Sequence, residues 1–203
     1  MISIKVDTRP FERALEGAAK QIPFATARAL TLTAQAAQAE LRNTLAEDLT
    51  IRNDWVSKGI RIVPARKSNL RAEVGSRDRF MALQAEGGWK EGKAGGAVAV
   101  PVGARSSPKS ITRPSRWPGK IIAGAKGLKI QLHGGAQGVF QKRGGGRKAM
   151  LALQYVLVKR VHVAPQWNFA RRVDGAVAKA WPELARRAIA EAIDTSRKRA
   201  KAS

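Results

Sequence analysis

The sequence predicts an α+β fold, with an antiparallel sheet covered by a long N-terminal helix and a C-terminal helix. Three patterns carry this expectation. Beyond Pro23, apolar side chains recur at Phe24, Ala27, Leu30, Ala34, Ala37, Leu41 and Leu45, spacings of three and four that draw one stripe along a helix. The middle of the chain holds short runs rich in Val, Ile and Leu, separated by Gly, Pro and Asn. Near the C-terminus Phe169, Val173, Val177, Trp181, Leu184, Ala188 and Ala192 trace a second helical stripe, with Ile189 and Ile193 beside it. Helices segregated from a run of strands are the mark of α+β architecture.

The elements follow in order. Ile2, Ile4 and Val6 alternate with polar residues and predict a short strand. Asp7 or Thr8 then caps a helix, with Pro10 in its first turn. Phe11–Glu47 is rich in Ala, Leu, Gln, Glu and Arg, and Pro23 is expected to break or kink it near Gln21–Ile22. Asn53 or Asp54 starts a short helical turn that ends at Gly59. Ile60–Val63 and Leu70–Val74 read as strands joined by the basic turn Pro64–Asn69. Arg79–Glu86 reads as a short helix stopped by Gly87-Gly88, and Ala97–Val102 as a strand that Pro101 assigns to an edge.

Residues 103–138 show little period apart from Gly127–Leu132. They hold Pro108, Pro114, Pro118 and many Gly and Ser, and read as a long basic arm inserted in a single 1–203 domain. Gly138–Lys142 and Leu151–Val163 then read as two strands, the second central, with Leu153, Tyr155, Leu157, Lys159, Val161 and Val163 on one face. Pro165 ends it. The last helix spans about Asn168 to Arg199, with Pro182 either kinking it or opening a second helix.

Hydrophobic residues make up 44% of the 203, enough for a core, while aromatics are only 5%. Thirty-eight Lys and Arg against fifteen Asp and Glu give a net charge of +23 and a pI near 11.5. Residues 1–100 carry sixteen basic and eleven acidic side chains; residues 101–203 carry twenty-two and four. From Gly92 to Val173 there is no acidic residue in 82 positions, against sixteen Lys and Arg. A soluble surface normally mixes both signs, so this exclusion points to phosphates or an acidic neighbour as partner, with a merely solvated basic face as the bland alternative.

The same composition removes most chemistry. There is no cysteine, which excludes disulfides, thiolate metal sites and a cysteine nucleophile. His133 falls in the Gly-rich arm and His162 between two valines in a strand, and no nearby carboxylate orients either. Glu40, Glu47, Asp48 and Asp54 fall on a helix end and a turn, without the clustering that holds Mg²⁺. Gly92–Gly96 and Gly124–Gly127 lack the Gly-Lys-Ser/Thr ending of a phosphate loop, and Gly144-Gly-Gly-Arg147 reads as a hairpin connection. No catalytic residue, metal ligand or cofactor is therefore expected. No apolar run approaches the roughly 20 residues that span a bilayer, and the N-terminus lacks a signal-peptide pattern. No membrane partner is expected, and the chain is assigned to a cytoplasm or to something assembled there.

Several blocks carry a family resemblance. Ile22-Pro-Phe-Ala-Thr-Ala-Arg-Ala-Leu-Thr-Leu-Thr-Ala34, continuing to Glu40, resembles the opening helix of the phage minor tail protein Z family, with Ala29-Leu-Thr31 matching its Ala-(hydrophobic)-Asn/Thr pattern. Thr50–Ile62 followed by Leu70–Val74 resembles the next block, and Val158–Pro165 leads into a C-terminal amphipathic helix as in that family. The order helix, sheet, arm, strand, Pro165-x-x-x-Phe169, helix is similar to the tail-completion (neck) proteins of long-tailed phages. The resemblance implies a non-enzymatic virion protein at the head-proximal end of the tail, assembled in the host cytoplasm. It implies a homo-oligomeric ring, most often of six, that meets tail terminator or tail tube proteins and the head–tail connector. The arm has no counterpart in this resemblance.

Candidate contacts to DNA phosphates or an acidic partner are Arg105, Lys109, Arg113, Arg116, Trp117, Lys120, Lys126, Lys129, Lys142, Arg143, Arg147 and Lys148. Trp117 either anchors on a partner or folds back on the core. Candidate subunit-packing residues are Phe24, Ala27, Ala34, Leu41, Phe169, Val173, Val177, Trp181 and Leu184. The alternative to a tail protein is a stand-alone, sequence-nonspecific nucleic-acid-binding protein of ribosomal or nucleoid type; an enzyme such as a nuclease is a third.

Overall fold

The Ala-, Leu- and Gln-rich N-terminal stretch forms one helix, α1 (Arg9–Asp48), which continues through Pro23 instead of ending there. The C-terminal stripe likewise forms one helix, α5 (Phe169–Ala202), which continues through Pro182. The computed structural model describes residues 9–202, so the strand expected at Ile2–Val6 and the cap at Asp7 or Thr8 lie outside the described residues. Between the helices lie α2 (Trp55–Gly59), β1 (Ile60–Val63), β2 (Glu73–Ser76), α3 (Arg79–Glu86) and β3 (Gly88–Glu91). They are followed by β4 (Val98–Pro101), α4 (Pro118–Ala123), β5 (Gly127–Gln131), β6 (Gln137–Arg143), β7 (Met150–Val158) and β8 (Arg160–Val163). The α+β class is as the sequence predicts, but the strands form three antiparallel sheets where one was expected: β1-β2, β3-β8 and β4-β7-β6-β5.

The chain divides into two compact units. The first holds Met1–Leu45, Ser57–Arg77 and Asn168–Ser203; the second holds Ala46–Val56 and Asp78–Trp167. In the first unit α1 and α5 pack through small residues. Ala25, Ala29, Ala188 and Ala192 form one buried cluster, with Trp181 against it. A Cβ on Gly17 would stand 3.6 Å from that of Ser196, so the two helices run antiparallel along this seam. Side chains this short let the helix axes approach closely. The buried hydroxyls of Thr33 and Ser196 donate to the carbonyls of Ala29 and Ala192, each at 2.9 Å, which satisfies them without a partner helix. On the outer side of the seam Arg28 pairs with Glu191 at 2.6 Å.

The β1–β2 hairpin is tied to α1 through one carbonyl. Gln38 Nε2 and Arg42 Nη2 both donate to Ile60 O at 2.8 Å, and Arg42 Nε donates to Ser57 O at 3.3 Å. At the turn, the Ala65 amide donates to Thr31 Oγ1 at 3.1 Å. Leu41, Leu45 and Ile60 are fully buried. The strand expected at Leu70–Val74 lies slightly later, at Glu73–Ser76, because its partners are Ile60–Val63 in the register Ile60↔Ser76.

In the second unit the sheet β4-β7-β6-β5 packs one face against α4 and the loop after β4. Ala104, Ile121, Val139 and Tyr155 form the buried cluster there, with Ala99 and Leu157 beside it. β4 is an edge, as Pro101 requires, and β7 is interior. Two details depart from the sequence reading. Lys159 divides Leu151–Val163 into β7, which pairs with β4 and β6, and β8, which pairs with β3. A bulge also shifts the register: Val139 pairs with Tyr155 while its neighbour Phe140 pairs with Leu153. Val139 and Phe140 point to opposite faces, so Leu153 and Tyr155 do too, against the expected alternation. The extra residue is Gln154, which is 0% exposed.

Segment 103–138 is not a free arm. Pro118 opens α4 at its first turn. β5 pairs along its whole length with β6. Ala104 and Ile121 are buried. The tertiary pairing of β5 with β6 orders a stretch whose own period is weak.

Candidate polyanion-binding surface

All twelve predicted contact residues belong to the second unit. Nine cations among them are exposed: Lys109, Arg113, Lys120, Lys126, Lys129, Lys142, Arg143, Arg147 and Lys148. Arg105 and Arg116 are half-buried. Trp117 is 54% exposed, so about half of its surface stays open to a partner. Its backbone caps α4, with its carbonyl accepting from the Ile121 amide at 3.0 Å.

The structure sorts these residues into groups. One lies at the β6–β7 hairpin end. Lys142 and Arg143 close β6, and Arg147 and Lys148 fall in the turn at 146–148. The turn needs left-handed backbone at Gly144 (φ 75°) and Gly146 (φ 56°), which explains the glycine run. The Lys142 amide donates to Lys126 O at 2.8 Å, which brings Lys126 to the same end of the sheet.

The second group is the loop between β4 and α4, which carries Arg105, Lys109, Arg113 and Arg116. It is cross-tied at several levels. The Val102 and Gly103 amides donate to Gln154 O at 2.9 and 3.3 Å. Arg116 Nη1 donates to Ala104 O at 3.3 Å, and Arg105 Nε to Thr112 Oγ1 at 3.1 Å. The Ser107 amide donates to Ser110 Oγ at 3.2 Å, and Tyr155 Oη, 39 residues along the chain, donates to Arg116 O at 2.8 Å. Burial raises the Tyr155 phenol above its ordinary range, against the lowering effects of a Thr112 hydrogen bond and of Arg105 and Arg116.

Arg52 is a member of this loop cluster that sequence reasoning did not single out. Its Nε donates to Pro108 O at 2.9 Å across 56 residues of chain. Burial and then the neighbouring Arg105 charge lower its pKa. Nothing local to Ile51-Arg52-Asn53 signals this contact, because it is made by tertiary folding. Arg52 also lines a cavity of about 440 Å³, with Trp55 and Phe80 at its wall. Those two rings stack with centroids 5.4 Å apart and planes 8° from parallel, and both are exposed.

A third feature outside the predicted set lies on β3–β8. Trp89 faces His162 across the ladder with ring centroids 5.2 Å apart, and the Arg160 guanidinium lies 4.5 Å over the Trp89 ring. This gives the exposed His162 an aromatic neighbour.

The subunit-packing set divides. Ala27, Ala34 and Leu41 are buried within the chain itself, and Leu41 is 0% exposed, so they serve its own packing. Phe24 is 59% exposed and Val177 is also exposed; Phe169, Val173, Trp181 and Leu184 are half-buried. Ala27, Ala34 and Leu41 have little or no surface left to offer another chain, whereas the exposed and half-buried members do.

Charge is shared more evenly between the units than between the sequence halves. The second unit carries seventeen basic and six acidic side chains, +11, and the remainder of the +23 lies in the first. The acids of the second unit all come from 47–54 and 78–91. Among the described residues no three His, Asp or Glu side chains converge as a metal site, and no helix is long and apolar enough to cross a membrane. Comparison with family models, with curated proteins and with solved structures finds no match.

Proposed function

We propose that this chain is a non-enzymatic structural protein that docks through the cationic surface of its second unit onto a polyanion within a larger particle. The observation that carries the reading is the set of nine exposed Lys and Arg side chains on a segment without a single carboxylate. Contacts of this type bind phosphate without reading bases, which suits a conduit indifferent to sequence.

The particle we propose is a phage tail. The resemblance of Ile22–Glu40, Thr50–Val74 and Val158–Phe169 to minor tail protein Z and neck proteins supports a role in completing the head-proximal end and in head–tail joining. In this reading the chain forms a ring, of six copies by the resemblance, around the DNA channel. It rests on tail terminator or tube proteins and faces the connector. Exposed Phe24 and Val177 are the side chains we assign to contact between copies.

The test is electron microscopy of tails assembled with and without the chain. The proposal expects an altered proximal end, a failure to join heads and normal tails elsewhere. A chain that remains monomeric and never enters particles overturns it. Exposed Trp117 beside Arg116 favours one competing reading, a stand-alone nucleic-acid binder. That reading expects tight binding to naked DNA or RNA with no particle association.

A further inference from the structure

We propose that the loop between β4 and α4 is a built oxyanion site, which takes one phosphate group between Arg113, Arg116 and Ser106. The proposal rests on the polyanion reading above and deepens it, from a diffuse cationic surface to one defined subsite.

The geometry has three parts. First, there is space. A cavity of about 270 Å³ is lined by Ala104, Ser106, Ile111, Arg113 and Arg116. A water molecule occupies about 30 Å³ in the liquid, so the cavity holds a phosphate group with several waters. Its lining residues include two arginines and a serine, and no acidic residue.

Second, one donor, the Arg116 guanidinium, is held in place. Arg116 is half-buried and spends one N–H on Ala104 O at 3.3 Å. Its own carbonyl is fixed by Tyr155 Oη at 2.8 Å. A guanidinium carries five N–H donors in a planar fork, so most of this fork remains to meet an oxyanion. The Arg116 amide donates to Arg113 O at 2.8 Å, which holds the two residues in one turn. A donor pinned before the ligand arrives, as Arg116 is, loses little freedom on binding it.

Third, the charge is unbalanced. Arg105 is tied to Thr112, and Arg52 to the Pro108 carbonyl, beside the same loop. Both ties are to neutral oxygen. Arg105 lies close enough to Arg52 to add to burial in disfavouring the Arg52 charge. A structural role for these arginines alone would be met at lower cost by ion pairs, as Arg28 and Arg187 do with Glu191 in the other unit. Among the described residues the side-chain bonds of Arg52, Arg105 and Arg116 all go to neutral oxygen, and with Arg113 beside them an anion is the missing partner.

Phosphate chemistry has two sources, the diester backbone of a nucleic acid or a free phosphate group, and the experiment separates them. The full-length protein is titrated by calorimetry with inorganic phosphate at constant ionic strength, and separately with a short DNA duplex. Arg113→Gln and Arg116→Gln are compared with Lys142→Gln/Lys148→Gln, which changes the hairpin end of the same unit. The proposal expects a single phosphate site weakened at least tenfold by either arginine change and unaffected by the lysine pair. If the duplex displaces inorganic phosphate, the source is the nucleic-acid backbone. If it does not, the source is a free phosphate group. Duplex binding that depends on Arg113 without measurable inorganic phosphate binding supports the site for diesters alone. Arg116 also holds the loop, so Arg113→Gln decides the matter if Arg116→Gln fails to fold.

The site is overturned if folded Arg113→Gln protein binds both probes as the parent does. If the lysine pair still weakens duplex binding in that case, the polyanion reading survives and only the subsite is lost. If neither set of changes nor added salt alters duplex binding, the broader reading falls as well.

Discussion

Replacing Tyr155 with Phe removes one hydroxyl and leaves the ring in its cluster with Ala104, Ile121 and Val139. The hydroxyl is the tie between the interior strand β7 and the arginine loop, through Arg116 O at 2.8 Å. A hydrogen bond of this kind contributes about 0.5–1.5 kcal/mol net, and more where the abandoned carbonyl stays dry. The expected cost is about 1 kcal/mol. For a chain of this length that lowers Tm by about 2–4 °C. Locally the effect is larger in proportion, because the same energy raises the open fraction of the loop about fivefold. Hydrogen exchange read by mass spectrometry over residues 102–117 is the assay. The amides of Val102, Gly103, Ser107, Ser110, Arg116 and Trp117 are all bonded, so the parent protein protects them and Tyr155→Phe exposes them about fivefold faster. Parent amides that already exchange at unstructured-chain rates would refute the ordered loop. So would a variant indistinguishable from the parent.

The remaining predictions concern the core and pH. Burial raises the Tyr155 phenol, so its contribution is fully present below its ordinary pKa of 10.0 and is lost as pH rises through the higher folded value. Denaturation curves between pH 9 and 11 should show the parent losing stability relative to Tyr155→Phe, and equal slopes would contradict this. Leu41→Ala removes a fully buried side chain from α1 and should cost about 2–5 kcal/mol in urea denaturation. Pro23→Ala restores an amide donor inside a continuous helix and should raise stability by about 1–3 kcal/mol. A fall in Tm would show that Pro23 has a structural role the helix does not display.

Much of the fold could be read from the sequence where one local signal dominated. The three-and-four spacing from Ala27 to Leu45 marks buried positions of α1, and Arg79–Glu86 with its Gly87 stop is α3 as read. Features set by distant partners could not be read. Pro23 and Pro182 marked a break or a kink; both helices continue through them, and the Ala25–Ala29–Ala188–Ala192 seam packs the two together despite a lost backbone bond in each. The Gly- and Pro-rich segment looked like an arm because β5 gains its order from β6, and the bulge at Gln154 carries no sequence mark. The candidate site shows the same division. Its cations stand out in the composition, whereas the loop that aligns them depends on Arg52 and Tyr155, which reach it from 56 and 39 residues away.

The central claim is that the exposed cations of the acid-free segment carry the docking. Affinity of the full-length protein for a short DNA duplex, measured by fluorescence anisotropy from 50 to 200 mM NaCl, tests it most directly. If about six of the nine exposed Lys and Arg meet phosphates, log K falls linearly with log salt at a slope near −5, and affinity drops about a thousandfold over the range. A slope near zero, or no binding at 50 mM, contradicts the account.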